Sequence, residues 1–266
     1  MKLKYLATAA AAMIAASPAF AVLKGPDDGG AELFLTVWSA TAALGGTGNI
    51  NSSYTLDLGV SLLDMIANNS VNNYINVLLG SDSLFNTFIS TVNTTTAGAL
   101  QFNVTAASRG YVGLDTPTNV LLSTVAGPTL GTVTNLQSGI ALDQIALFAD
   151  GVNGIGSHGT QANGSSVATS GNAYFMANQS NNWQSSTPLN SKAVGTNAVF
   201  GSYTQNGFGQ SATTTSVFPG TFFFGQSTPN VYSLQYQVAA VPEPTGYALA
   251  LAGLGLIGFV GARRKS

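Results

Sequence analysis

Leu100-Gln101-Phe102-Asn103-Val104-Thr105 is the stretch on which the fold reading turns. Apolar side chains take every second position, and amides or a hydroxyl take the others. Successive side chains of an extended strand point to opposite faces, so this period of two describes a strand with one face on a core. Toward the C-terminus, Val194 to Tyr203, Val217 to Phe224 and Val231 to Val241 read as three more strands, spaced by Gly, Pro, Asn and Ser turns. Ile140, Leu142 and the run Ile145 to Phe148 read as another. Toward the N-terminus, Ala31 to Trp38 reads as a first strand. Tyr54 to Leu58 reads as its returning partner after the turn-prone Gly45-Gly46-Thr47-Gly48.

Two stretches change period. Between Val60 and Leu79, the residues Leu62, Ile66, Tyr74 and Leu78 share a helical face, with an interruption near Asn68-Asn69. Leu84, Phe85, Phe88, Ile89 and Val92 fall at helical spacing behind Ser81 and Asp82, residue types that cap helix N-termini. The expected fold class is therefore mainly β: a β-sandwich or jelly-roll-like domain with short helical insertions.

Charged residues make up only 7% of the 266 positions, against about 25% in ordinary soluble domains. Hydroxyls, amides and glycine replace them. Between Val22 and Val241 three bases (Lys24, Arg109 and Lys192) face nine acids, a net charge of about −6. Phosphate binding needs clustered Lys and Arg, so nucleic acid is not an expected partner. The absence of cysteine removes disulfides, thiol nucleophiles and thiolate metal sites.

Several constellations invite a chemical reading. Gly154-Ile155-Gly156-Ser157-His158-Gly159 fits G-x-G-x-x-G, but a dinucleotide site needs those glycines to open a helix. Gly154 to Asn172 instead reads as a long polar loop, and His158, the sole histidine, as a solvated residue in it. One histidine leaves zinc only carboxylates. Asp27-Asp28 and Asp150-Gly151-Val152-Asn153 offer oxygen ligands for calcium, yet Val152 stands where a calcium loop takes Asp or Asn. Turn chemistry accounts for both stretches. No metal and no cofactor are expected, and no residue set supports a catalytic assignment. Trp183, Tyr174 and Phe175 are sugar-stacking candidates if exposed and core residues if buried. Two carboxylates flanking a cleft would make a glycoside hydrolase, and nine acids leave that reading open.

The ends carry the clearest signals. Lys2 and Lys4, the apolar run Leu6 to Ala16, Pro18, and the small residues Ala19 and Ala21 form a signal peptide with its signal-peptidase site. The apolar run is too short to span a bilayer, which takes about 20 residues. At the other end Pro242-Glu243-Pro244 precedes Thr245 to Ala262, eighteen residues without a charge. That run is long enough for a single transmembrane helix. Arg263, Arg264 and Lys265 then form a basic stop that stays cytoplasmic. The chain so divides into residues 1–21, a signal peptide; residues 22–240, a mature β-rich domain; and residues 241–266, a tail.

The ordered tail, triplet then helix then basic cluster, resembles the PEP-CTERM sorting signal of Gram-negative bacteria. The resemblance implies processing by an exosortase, an integral membrane enzyme. It also implies a transient stay in the inner membrane and delivery to the cell surface or an extracellular matrix with exopolysaccharide as partner. The expectation is a non-catalytic exported surface or matrix protein. A secreted carbohydrate-binding module and a secreted glycoside hydrolase are the alternatives. Exported protein is expected to begin at Val22; N-terminal sequencing that returned Met1 would overturn the signal-peptide reading.

Overall fold

A computed structural model of the chain describes residues 22–29, 31–39, 52–92, 99–111, 118–156, 158, 161, 163–175, 183, 192–228 and 231–239. The signal peptide and the tail lie outside these residues. Ten strands run in chain order: β1 (Glu32–Ser39), β2 (Ser53–Ser61), β3 (Asn76–Leu78), β4 (Leu100–Tyr111), β5 (Thr118–Val125), β6 (Ser165–Ala168), β7 (Lys192–Ala193), β8 (Asn197–Thr204), β9 (Thr214–Thr228) and β10 (Val231–Val238). The helices are α1 (Leu62–Ala67), α2 (Ser83–Thr91) and α3 (Asn135–Asn153).

All ten strands belong to one sheet, ordered β3-β10-β9-β8-β5-β4-β1-β2-β6, with β7 pairing β4 off that path. Every pairing is antiparallel. The protein is thus mainly β, but one continuous curled sheet replaces the expected two-sheet sandwich or jelly roll. The curl follows from the rings on its inner face. Phe102 of β4 and Phe224 of β9 are three strands apart in the sheet, yet their ring centroids lie 5.7 Å apart. Adjacent strands are about 4.8 Å apart, so a flat sheet would hold these strands well beyond contact.

The inner core takes one face of nearly every strand: Leu33, Leu35 and Val37 from β1, Tyr54 and Leu56 from β2, Phe102 and Val104 from β4, Phe222 and Phe224 from β9, and Tyr232, Leu234 and Tyr236 from β10. Helix α2 closes it. Phe85 lies 5.0 Å from the Tyr54 ring on one limb of the sheet. On the other limb it lies 6.1 Å from Phe224 and 5.3 Å from Tyr232. Asp82 fixes this helix, as its sequence position suggested, by accepting the Phe85 N–H at 3.0 Å. Its carboxylate also accepts from the Tyr54 hydroxyl at 2.7 Å and the Asn163 amide at 2.6 Å, so β2, α2 and the segment leading into β6 meet on one side chain.

The Leu100-to-Thr105 alternation holds, but its polar face is not solvated. Asn103 and Thr105 are completely buried, and Thr105 donates to the Asn103 side-chain oxygen. The cover is α3 together with residues 173–175 and 183. It forms a second core with Phe34, Trp38, Leu121 and Tyr203 from the outer face of the central strands. Sheets covered on both faces lose clean alternation. For that reason β1 alternates imperfectly, and Val120-Leu121-Leu122 of β5 carries no period that sequence reading could use.

Three expectations need correcting. Ile140 to Phe148, read as a strand, is part of helix α3. Ser138, Ala141, Leu142, Ile145, Phe148, Ala149 and Val152 fall on one buried face, and Thr134 with Gln137 closes a reciprocal capping box at its start. The helical face drawn from Leu62 to Leu78 stops at Asn68. Beyond it Asn73 turns the chain with φ 57°, and Leu78 ends the edge strand β3 in an exposed position. The long loop Gly154 to Asn172 contains β6, which pairs β2 at the sheet edge.

Glycine is required where β9 passes the Tyr236 ring of the neighbouring β10. A Cβ at Gly220 would lie 2.3 Å from the Tyr236 ring. The Gly220 N–H donates to the Tyr236 hydroxyl at 3.0 Å, and that hydroxyl donates to the Asn69 carbonyl at 2.6 Å. Replacing Asp82 with Ala removes the α2 cap and strands the Tyr54 hydroxyl, at an expected cost of about 2–4 kcal/mol. Urea unfolding of Asp82→Ala beside wild type measures this. A loss below about 0.5 kcal/mol, the usual range for surface substitutions, would show that the limbs are joined elsewhere.

Candidate functional site

Described residues line at least two hollows. The first, about 490 Å³, lies where β10 ends, and its lining includes Asn72, Asn73, Asn197, Thr221, Gln235 and Gln237. Asn72 accepts the Val238 N–H at 3.0 Å, and Gln237 donates to Gln235 at 2.9 Å. This hollow sits beside Ala239, the last described residue before the tail. Its lining side chains hold no ionisable group, so it offers hydrogen bonds and no acid, base or nucleophile.

The second, about 270 Å³, lies between α3 and the turn joining β8 to β9. Its lining includes Leu136, Gly139, Phe208, Asn119, Gln205, Arg109 and Asp143. Arg109 donates both Nη1 hydrogen bonds to Asp27, at 2.8 and 2.7 Å, and one from Nη2 to Asp143. The Asn119 amide donates to Gln205 Oε1 at 2.7 Å, and the Gln205 amide to the Asn135 carbonyl at 2.8 Å.

The residues singled out in the sequence fall elsewhere. Trp183, Phe175 and Tyr174 are buried, the first two fully. The Trp183 ring stands edge-on to Phe175 at 4.8 Å and to Phe148 at 5.3 Å, so these residues are core and not a sugar platform. His158 is buried, not solvated. Gly154 closes α3 as its C-cap. These glycines therefore follow a helix C-terminus, the wrong pole for phosphate. Asp150 and Asn153 belong to that helix rather than to a calcium loop. Asn153 instead clasps the Leu23 backbone, accepting its N–H at 2.8 Å and donating to its carbonyl at 3.0 Å. Asp27 is occupied by Arg109, and Asp28 accepts the Gly25 N–H at 2.8 Å. Phe208 escaped the sequence reading, although a lone aromatic between Gly207 and Gly209 was the available signal.

The sorting residues Pro242, Glu243, Pro244, Arg263, Arg264 and Lys265, the apolar run between them, and the signal-peptidase residues Ala19 and Ala21 lie outside the described residues. Comparison with family models matches residues 240–265 to the PEP-CTERM protein-sorting motif. The chain ends in a PEP-CTERM sorting tail. That tail implies processing by an exosortase, with export and sorting to the cell surface or extracellular space. No curated protein and no solved structure matches the chain.

Among the carboxylates, Asp57 of β2 stands apart. Burial pushes its pKa from the ordinary 3.8 to about 6; the Gly59 N–H opposes the shift and the nearby Glu32 carboxylate adds to it. It lines neither hollow. Between pH 4 and 6 the folded protein holds this proton while the unfolded chain has released it. Asp57 therefore weakens stability as pH rises through that window, and the loss is complete above it. Asp57→Asn is expected to be more stable than wild type at pH 7 and equal to it near pH 3. Denaturation midpoints across that range check this; parallel profiles would refute it.

Proposed function

We propose that the PEP-CTERM protein is a non-catalytic component of the cell surface or of an exopolysaccharide matrix, reached by way of a transient inner-membrane stage. The ordered tail carries this reading. Signal peptidase releases the N-terminus on export. The eighteen uncharged residues from Thr245 to Ala262 then halt in the bilayer, because Arg263, Arg264 and Lys265 cost too much to draw across it. Pro242 and Pro244 keep the backbone ahead of the helix extended and short of hydrogen-bond donors, which suits it to entry into a protease-like groove. Exosortase cleavage near the triplet frees the domain from its helix.

The described domain supports a structural rather than a catalytic role. Its hollows present amides and one arginine held by two aspartates. Among the described carboxylates, Asp57 is the one raised toward a general acid's range, and it lines neither hollow. An exterior of hydroxyls and amides with little charge packs among hydrated polysaccharide without a counter-ion requirement.

Alanine replacement of Pro242, Glu243 and Pro244 together is expected to leave export intact and to trap uncleaved protein in the inner membrane. Intact-mass analysis of extracellular and membrane fractions tests it. Wild-type extracellular protein that still carries Thr245 to Ser266, or normal release of the triple variant, would defeat the reading.

A further inference from the structure

Phe208 is 97% exposed, whereas almost every other aromatic side chain the structure describes is buried or nearly so. Its turn is no loose loop. Leu136 N–H donates to the Gly209 carbonyl and Asn135 N–H to the Ser211 carbonyl, each at 2.8 Å, and Thr213 N–H donates to the Val133 carbonyl at 2.8 Å. The Asn135 side chain adds a bond to Ser211 Oγ at 2.8 Å and accepts the Asn206 N–H at 3.2 Å. The turn is thus bolted to the start of α3, and the ring projects from it into water, an unfavourable exposure of apolar surface.

The floor beside the ring is open. Gly139 sits inside α3, where glycine is a poor choice for the helix. A Cβ there would touch only the Gln205 amide, at 3.4 Å. In the same hollow, Asn119 Nδ2 and Gln205 Nε2 each spend one N–H inside the protein. An amide nitrogen carries two, so each keeps one for a ligand. One hollow therefore combines an exposed apolar ring, a glycine with open space beside it, and planar amide donors.

We infer that this hollow is a binding site for a neutral oligosaccharide, with a pyranose ring stacked on Phe208 and its hydroxyls met by Asn119 and Gln205. A pyranose has the matching surface: a C–H face that stacks on an aromatic ring, and a rim of hydroxyls for amides. The charge balance excludes acidic sugars. Arg109 is already shared between Asp27 and Asp143, leaving this cluster net negative toward a uronate. A volume near 270 Å³ lies just under the range of roughly 300–1,000 Å³ common for small-molecule sites, so one or two sugar units fit. The inference deepens the matrix reading above and rests on it only for the source of the glycan.

Protein released by the producing cells is titrated, by NMR and calorimetry, with cellotetraose, laminaritetraose, maltotetraose and chitotetraose, and with an alginate tetramer as the acidic probe. At least one neutral probe is expected to bind with a dissociation constant on the order of 0.1–1 mM, and Phe208→Ala to weaken it at least about tenfold. Phe208→Tyr should keep binding, and Gly139→Leu should abolish it by filling the floor with the ring intact. Circular dichroism confirms that each variant is folded. Silence from all four neutral probes, preference for alginate, or equal binding by Phe208→Ala overturns the inference. So does a Phe208→Ala effect confined to self-association in analytical ultracentrifugation, which would make the ring a protein contact. Binding in the tube by protein that cells never retain in their matrix would sink the matrix reading and leave this site standing. Matrix retention without binding would do the reverse.

Discussion

The curl of a single sheet around its own inner face is the constraint from which the rest of this structure follows. Ten antiparallel strands bury a continuous row of rings and aliphatic chains on the concave side. Among the described residues no second sheet covers them. The two limbs must be joined, and Phe85 joins them by touching Tyr54 on one side and Phe224 and Tyr232 on the other. Asp82 holds that contact. Burial pushes its pKa up, but the Phe85 N–H, the Tyr54 hydroxyl and the Asn163 amide outweigh burial and keep it below the ordinary carboxylate value. Its contribution is therefore present above the acid range and fades as the pH falls through it.

Covering the convex side has a different consequence. Helix α3 lies over the central strands, and the buried rings of Phe34, Phe148, Phe175 and Trp183 fill the space between. A domain without disulfides gains stability from such two-sided burial, since more of each strand leaves water. The same helix fixes the β8–β9 turn at its N-terminal end, and so an element recruited for packing also sets the stance of Phe208. Scaffold and candidate ligand surface are physically one construction: a rigid helix start on which an exposed turn is mounted.

An outward face poor in charge fits the destination that the tail specifies. Three bases against nine acids between Val22 and Val241 disfavour steering toward polyanions, and most polar side chains of that stretch are amides and hydroxyls. The first hollow is lined by amides, a hydroxyl and two aliphatic residues, whereas the second holds Arg109, Asp143 and an aromatic wall, Phe208.

By itself the sequence determined the address and the strand-forming character. The triplet Pro242-Glu243-Pro244, the uncharged run and the basic end follow one another in the chain as a linear motif, so the order of residues alone reveals it. The helix behind Asp82 was legible for a similar reason, because a cap and an i, i+4 apolar face are local. Tertiary structure decided what depended on distant partners. Ile140 to Phe148 became a helix because a capping box at Thr134 and a face of small and large apolar residues matched the convex sheet, and a dense apolar run does not declare its period alone. Trp183 and His158 went inside although the residues beside them are polar or glycine, since burial depends on what packs above a residue and not on the composition beside it. Phe208 went outside for the complementary reason. Its turn is clamped to α3 by backbone hydrogen bonds, and those are set by the meeting of two segments some seventy residues apart.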